Sequence, residues 1–193
     1  MIDFLSLFDI VKKMDQNIIT FFSSKKEYRS LSNFWEKEIV IQDERIYESG
    51  EHCFHGEKYI RLGLICEKED RKKVLLEYGL TFCKPSSYKT GAMAKKMGGK
   101  KGLLLLTEEL EKWDALRLGV QEEICIYKLK TDEIVRQDLI KSGNKTLIHP
   151  ALRCSEVKVE KANFWEGRAV LKEGTLIILG KNMLGNIWMN LRK

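Results

Sequence analysis

Proline is nearly missing from this chain: Pro85 and Pro150 are the only two in 193 residues. A proline-rich spacer is therefore excluded. Long apolar runs are missing too, and no stretch reaches the ~18 residues that a membrane-spanning helix needs. The sequence has no internal repeat, no low-complexity tract, no CxxC pair and no HExxH. Its five cysteines, Cys53, Cys66, Cys83, Cys125 and Cys154, are odd in number and irregular in spacing. They argue against a disulfide framework and against structural zinc, and they fit reduced thiols in a cytoplasmic compartment. His52 and His55 stand at i, i+3, which is not a metal-ligand spacing, so no metal is expected. The opening MIDFLSLFDIVKKMDQ contains Asp3 and Asp9 and lacks a basic start and a small-residue cleavage site. It is read as a helical extension over residues 1–16, with Phe4, Leu5, Phe8, Ile10 and Val11 on one face, and not as a signal peptide.

What is present suffices for a core. Hydrophobic residues make up 44% and charged residues 32%, which excludes global disorder. Lys plus Arg is 34 and Asp plus Glu is 28, giving 34 − 28 = +6. The stretch from Lys84 to Gly102 holds six lysines (Lys84, Lys89, Lys95, Lys96, Lys100, Lys101) and no acid. That patch suits a phosphate-bearing partner or is a solvated loop.

Periodicity gives the elements. Ile18–Phe22 reads as a buried strand, and 38–47 as an extended stretch broken at Gln42-Asp43-Glu44. Ser49 is an N-cap for a helix to about Gly63, on which Glu51, Phe54, His55, Lys58 and Leu62 share a face. Arg71 to Tyr78 reads as a helix ended by Gly79, and Ala92–Met97 as a short helix. Thr107 caps a helix whose stripe is Trp113, Leu116, Val120, Ile124 and Tyr127, with Arg117 and Gln121 continuing the Trp113 row. A helix over 133–141, a strand over 175–179 and a last helix over 183–191 complete the chain. The fold class expected is α+β: a single, mostly helical domain over residues 1–193 with a few short strands.

Three groups could carry chemistry. Glu51 in a first helical turn is kept ionised by the helix dipole and could stabilise a sugar cation, or it lies with Lys58 on a solvated face. Trp113 beside Arg117 could stack on a base near a phosphate, or be core. The segment Leu179-Gly180-Lys181-Asn182-Met183-Leu184-Gly185 suits an anion at a helix N-terminus, or is a turn and cap.

Taken in order, Leu31-Ser32-Asn33-Phe34, Tyr47 with Glu51-His52-Cys53-Phe54 and Lys58, Ala94-Lys95-Lys96-Met97-Gly98, Trp113-Asp114 with Arg117, Phe164-Trp165-Glu166-Gly167, and Gly180–Gly185 with Arg192 resemble the NADAR family of YbiA-like proteins. The resemblance runs from about Phe21 to Arg192. It implies a metal-independent N-glycosidase without a cofactor. The bond cleaved would join ribose phosphate or ADP-ribose to a base, as in riboflavin-pathway ribosylaminopyrimidine phosphates or ADP-ribosylated guanine. The implied partner is a nucleotide-like small molecule or ADP-ribosylated nucleic acid, with no membrane. By motif, Glu51 is the implied catalytic carboxylate, with Lys58 and Trp113 lining the site. Asn33, Arg117, Trp165, Gly180, Lys181, Asn182 and Gly185 are the implied substrate contacts. The chain departs from the family pattern at Ala162, where an acid is usual, at His149 and at Glu166. A chain with the shape but without that acid is alternatively a non-catalytic ADP-ribose or nucleotide binder.

Overall fold

A computed structural model describes residues 17–193 apart from 43, 153, 163 and 174. The expected helix on Phe4, Leu5, Phe8, Ile10 and Val11 lies outside the described residues. The α+β class holds, with short strand pairs among a majority of helix. The described chain groups into two units, one of residues 33–133 and the other of residues 17–32 with 134–193.

In the first of these, strands β1 (Ile39–Ile41) and β2 (Arg45–Tyr47) form an antiparallel hairpin with Ile39 opposite Tyr47. Helix α1 (Gly50–Leu64) follows. Ser49 caps it in extended geometry, and its Oγ accepts the His52 N–H. Helices α2 (Glu69–Leu80), α3 (Gly91–Gly98) and α4 (Thr107–Thr131) pack around α1. The core joins Ile39, Tyr47, Tyr59, Leu62, Leu75, Phe82, Trp113, Val120 and Ile124. The predicted stripe of α4 is therefore the buried one, although Leu106 rather than Thr107 is the residue before the helix. Glu109 Oε2 accepts the Leu106 N–H at 2.8 Å, satisfying one of the free donors there.

In the second unit, β3 (Ile18–Thr20) pairs in parallel with β4 (Thr146–Ile148). Helices α5 (Glu133–Ser142) and α6 (Glu156–Ala162) precede the antiparallel β5 (Arg168–Lys172) and β6 (Thr175–Leu179), and α7 (Met183–Leu191) ends the chain. Trp188 is fully buried and its indole N–H donates to Leu31 O at 2.9 Å.

One expected boundary is corrected. Gly79 does not end α2; it lies inside it. A Cβ there would sit 2.6 Å from Ile60 Cγ1 and 3.0 Å from Ile60 N. The glycine permits α1 and α2 to approach closely and is not a left-handed cap. At Gly119 in α4, by contrast, an added Cβ would meet nothing within 4 Å. Gly79→Ala is expected to lower stability by about 1–3 kcal/mol despite its better helix propensity. Gly119→Ala is expected to raise it by about 0.5–1 kcal/mol. Thermal melts of the two single variants check both signs.

Candidate functional site

The site is built on the first two turns of α1. The Glu51 N–H donates to Asn33 O at 2.9 Å, so the chain before the helix closes its open N-terminus. Asn33 is itself held by a reciprocal amide pair with Gln121 of α4, at 2.7 and 2.9 Å. Asn33 thus ties α4 to the first turn of α1, and its side-chain amide is already engaged. Glu51 is buried, 7% exposed. Its carboxylate Oε1 stands 3.3 Å from His55 Nε2, one turn along the helix.

Helix α3 forms a wall against this face. A Cβ on Gly91 would lie 3.5 Å from Glu51 Cβ and 3.0 Å from the Phe34 ring. A Cβ on Gly98 would overlap the His55 ring at 2.1 Å. Lys58 Nζ, also buried, donates to Gly98 O and lies 4.4 Å from the Tyr59 ring centroid. Burial pushes the Lys58 ammonium down to about 8. Burial also pushes the His55 imidazole below its ordinary value, against the opposing pull of Glu51.

Trp113 is a core side chain that meets Phe54 of α1 edge-on, with ring centroids 5.1 Å apart. Glu51, His55, Lys58 and, through Phe54, Trp113 are therefore brought together as the helical spacing predicts. Arg117 is half-buried and its Nη1 lies 3.1 Å from Asp114 Oδ1. Of the basic segment, Lys84 is paired with Glu38, Lys95 stands 5.5 Å from the Phe34 ring centroid, and Lys89, Lys96, Lys100 and Lys101 are exposed.

Trp165, Gly180, Lys181, Asn182 and Gly185 belong to the other unit. There the loop before α7 is closed by backbone. The N–H groups of Asn182, Met183 and Leu184 donate to the carbonyls of Glu166, Phe164 and Trp165. The buried Asn182 has φ 47°, and its side chain donates to Leu147 O at 2.8 Å and accepts the His149 N–H at 3.1 Å. Gly180, at φ 76°, faces Glu166 O, and Gly185 faces Leu147 O so closely that a Cβ would lie 2.2 Å away. These contacts give Asn182 and both glycines the task of shaping the loop. Lys181 is exposed, with Nζ 5.4 Å from the Phe164 ring centroid, and Trp165 meets Phe164 edge-on at 4.8 Å.

The sequence pattern gives His55 no chemical role and Gly98 no part in the site. The i, i+4 step from Glu51 to His55 is the clue that could have found the pair. His52 is engaged on both ring nitrogens, by Ser49 Oγ and Tyr88 O, each at 2.8 Å. Among the described residues no cluster of His, Cys, Asp and Glu could hold a metal ion, and no helix is long and apolar enough to cross a membrane. All five cysteines are free thiols.

The fold defined by these elements is YbiA-like. Escherichia coli YbiA, solved by NMR, is similar to this chain with a TM-score of 0.55 and 20% identity, covering 91% of this chain and 83% of YbiA. At that identity the likeness is one of fold. No family model matches the chain, and no curated protein matches it at a significant level.

The Lys58 environment has a measurable sign. Its folded-state value of about 8 lies below the ordinary 10.5, so the unfolded chain holds the proton more tightly. Burying the ammonium thus lowers stability by roughly 3 kcal/mol below that folded value, and the penalty fades as pH rises toward the unfolded one. Lys58→Met should gain stability relative to the parent most at neutral pH, and the gain should shrink at alkaline pH. Paired denaturant titrations across that range check it.

Proposed function

We propose that this chain is an N-glycosidase that hydrolyses the bond between ribose phosphate or ADP-ribose and a base. The observation that carries the reading is the buried Glu51 carboxylate in the first turn of α1, beside His55 and under α3. A carboxylate in that place favours the positive charge that grows on the sugar as the C1′–N bond breaks. Water then adds to C1′, and the departing nitrogen takes up a proton. The helix N-terminus and the scarcity of water around Glu51 strengthen that attraction. Lys58 and Arg117 supply positive charge for phosphate, and Trp113 with Phe54 forms the apolar backing of the site. The resemblance adds Asn33, whose backbone carbonyl accepts the Glu51 N–H, as a substrate contact beside Glu51.

The test is direct. The protein is incubated with a ribosylaminopyrimidine phosphate, with free ADP-ribose and with ADP-ribosylated nucleic acid, and released base or sugar is measured. Glu51→Gln keeps the shape of the side chain and removes its charge. It is expected to retain the melting temperature while kcat falls by at least ~100-fold. Unchanged turnover would remove Glu51 from the chemistry.

A second reading, a non-catalytic binder of ADP-ribose-like ligands, is favoured by Ala162 at the end of α6, where the resemblance expects an acid. Binding without release of base in the same assay would select it.

Trp113→Ala separates packing from contact. The buried ring predicts a stability loss of about 3–5 kcal/mol. Turnover per folded molecule, measured well below the melting temperature, should be reduced far less if the ring serves packing alone.

A further inference from the structure

His55 is the least satisfied polar group of the site. Its Nε2 faces Glu51 Oε1 at 3.3 Å, while its Nδ1 is buried and has no hydrogen-bond partner. The ring cannot retreat to find one. Gly98 lies so close that a Cβ there would fall 2.1 Å from both Cγ and Nδ1 of the ring. Phe54 meets the imidazole edge-on at 5.5 Å, and Phe82 stands 6.3 Å away. Among the described residues, the polar side chain within ion-pair range of the imidazole is therefore the Glu51 carboxylate.

An ionised carboxylate only accepts, so the ring nitrogen that faces it carries the proton, and a second N–H on the partnerless Nδ1 would be stranded. That places the single proton of the neutral ring on Nε2, pointed at Glu51. On the reading that Glu51 is the catalytic carboxylate, we infer that His55 is its positioning residue: a neutral imidazole, walled in by Gly98, that donates Nε2–H to the carboxylate and fixes its orientation without cancelling its charge. Neutrality is the essential feature. An imidazolium in the same place would form an ion pair with Glu51 and take away the negative charge that the sugar cation needs.

The charged groups facing His55 are Glu51 and Lys58 on its own helix and Lys95 on α3. Burial and the two lysines oppose protonation, and Glu51 favours it. The balance leaves the ring neutral over the range in which an ordinary histidine begins to charge. Turnover should then fall on the acid side as His55 takes its proton, and a variant without a titrating group at this position should lack that part of the pH profile.

The test uses the full chain, which holds three histidines, His52, His55 and His149. Long-range proton–nitrogen NMR of the rings, with His55 assigned by its loss in His55→Gln, reads the tautomer without any substrate. The Nε2–H form at neutral pH is expected, and in Glu51→Gln the His55 titration should move further down, because the carboxylate that favours protonation is gone. A ring protonated on Nδ1, or charged at neutral pH, overturns the inference. So does a titration that Glu51→Gln leaves in place. In kinetics, His55→Leu should lower kcat by about 10- to 100-fold with little change in KM. His55→Gln, which keeps an N–H donor and cannot titrate, should recover most of that loss and flatten the acid limb. Full turnover in His55→Leu overturns the inference, as does a folded His55→Gln no better than His55→Leu. If the parent protein hydrolyses none of the three substrates, the glycosidase reading fails alone. The tautomer and its response to Glu51→Gln still decide whether the two side chains are coupled.

Discussion

Helix α1 is covered on almost every side, yet it carries Glu51, His52, Glu57 and Lys58 as buried residues. Charge survives under such cover only with partners. Glu57, fully buried, is the anchor. It accepts hydrogen bonds from Tyr47 Oη at 2.6 Å, Arg45 Nε at 2.9 Å and Arg61 Nε at 2.9 Å. Burial would raise its pKa, but the hydrogen bonds from Arg45, Tyr47 and Arg61 outweigh it and hold the carboxyl below its ordinary value. Arg61 continues to Glu123 of α4. One carboxylate thus joins the β1–β2 hairpin, α1 and, through Arg61, α4. Such a cluster contributes little net stability compared with an apolar core, but removing any member strands a buried charge, so it specifies a single geometry. With that face committed, α1 cannot rotate, and Glu51, His55 and Lys58 are left toward α3.

Helix α3 is short, and its sequence suits this position. Thr90 caps it by accepting the Met93 N–H, and Gly91 and Gly98 mark its two ends. Gly98 lets its backbone lie against His55 where a side chain would collide, and a Cβ on Gly91 would press on the Phe34 ring. The closing carbonyl of Gly98 receives the Lys58 ammonium. Lys95 and Lys96 are exposed on the same eight residues. The element that covers the carboxylate therefore also carries exposed positive charge, of which Lys95 is close enough to act on His55. Both features are visible in the sequence as a glycine- and lysine-rich segment, and only packing on α1 relates them.

What the sequence disclosed was local in origin. Ser49 as a cap, a break between Ile41 and Arg45 and the α4 stripe each depend on neighbours within a few residues, and each is found where the pattern put it. Gly79 failed because a glycine required by Ile60 of another helix looks like a stop when read alone. The strand Thr146–Ile148 was missed because its β character comes from pairing with Ile18–Thr20, more than a hundred residues away. Helix α6 was missed as well; Glu156–Ala162 is only seven residues long and alternates charged with apolar side chains. The loop before α7 misled for a similar reason. Two glycines around Lys181 and Asn182 look like an anion cradle until the carbonyls of Phe164, Trp165 and Glu166 are seen on its N–H groups. Glu51, Phe54, His55 and Lys58 were legible as one face; that the face is buried, and what lies over it, was not.

Likeness of fold to YbiA supplies the frame and leaves the chemistry to the residues. An N-glycosidase scheme with two acids divides its labour: one carboxylate attracts the sugar cation and the other activates water. The first task demands a carboxylate whose charge is not already cancelled. Among the described residues, the side chain in ion-pair range of Glu51 is His55, which burial disfavours as a cation, while the Lys58 ammonium is turned to the Gly98 carbonyl. The second task is where Ala162 bears. On the proposed glycosidase reading, with no acid at that position, activation of water would fall to Glu51 itself or to the substrate. On that reading the departure bears on water attack rather than on the attraction of the sugar cation.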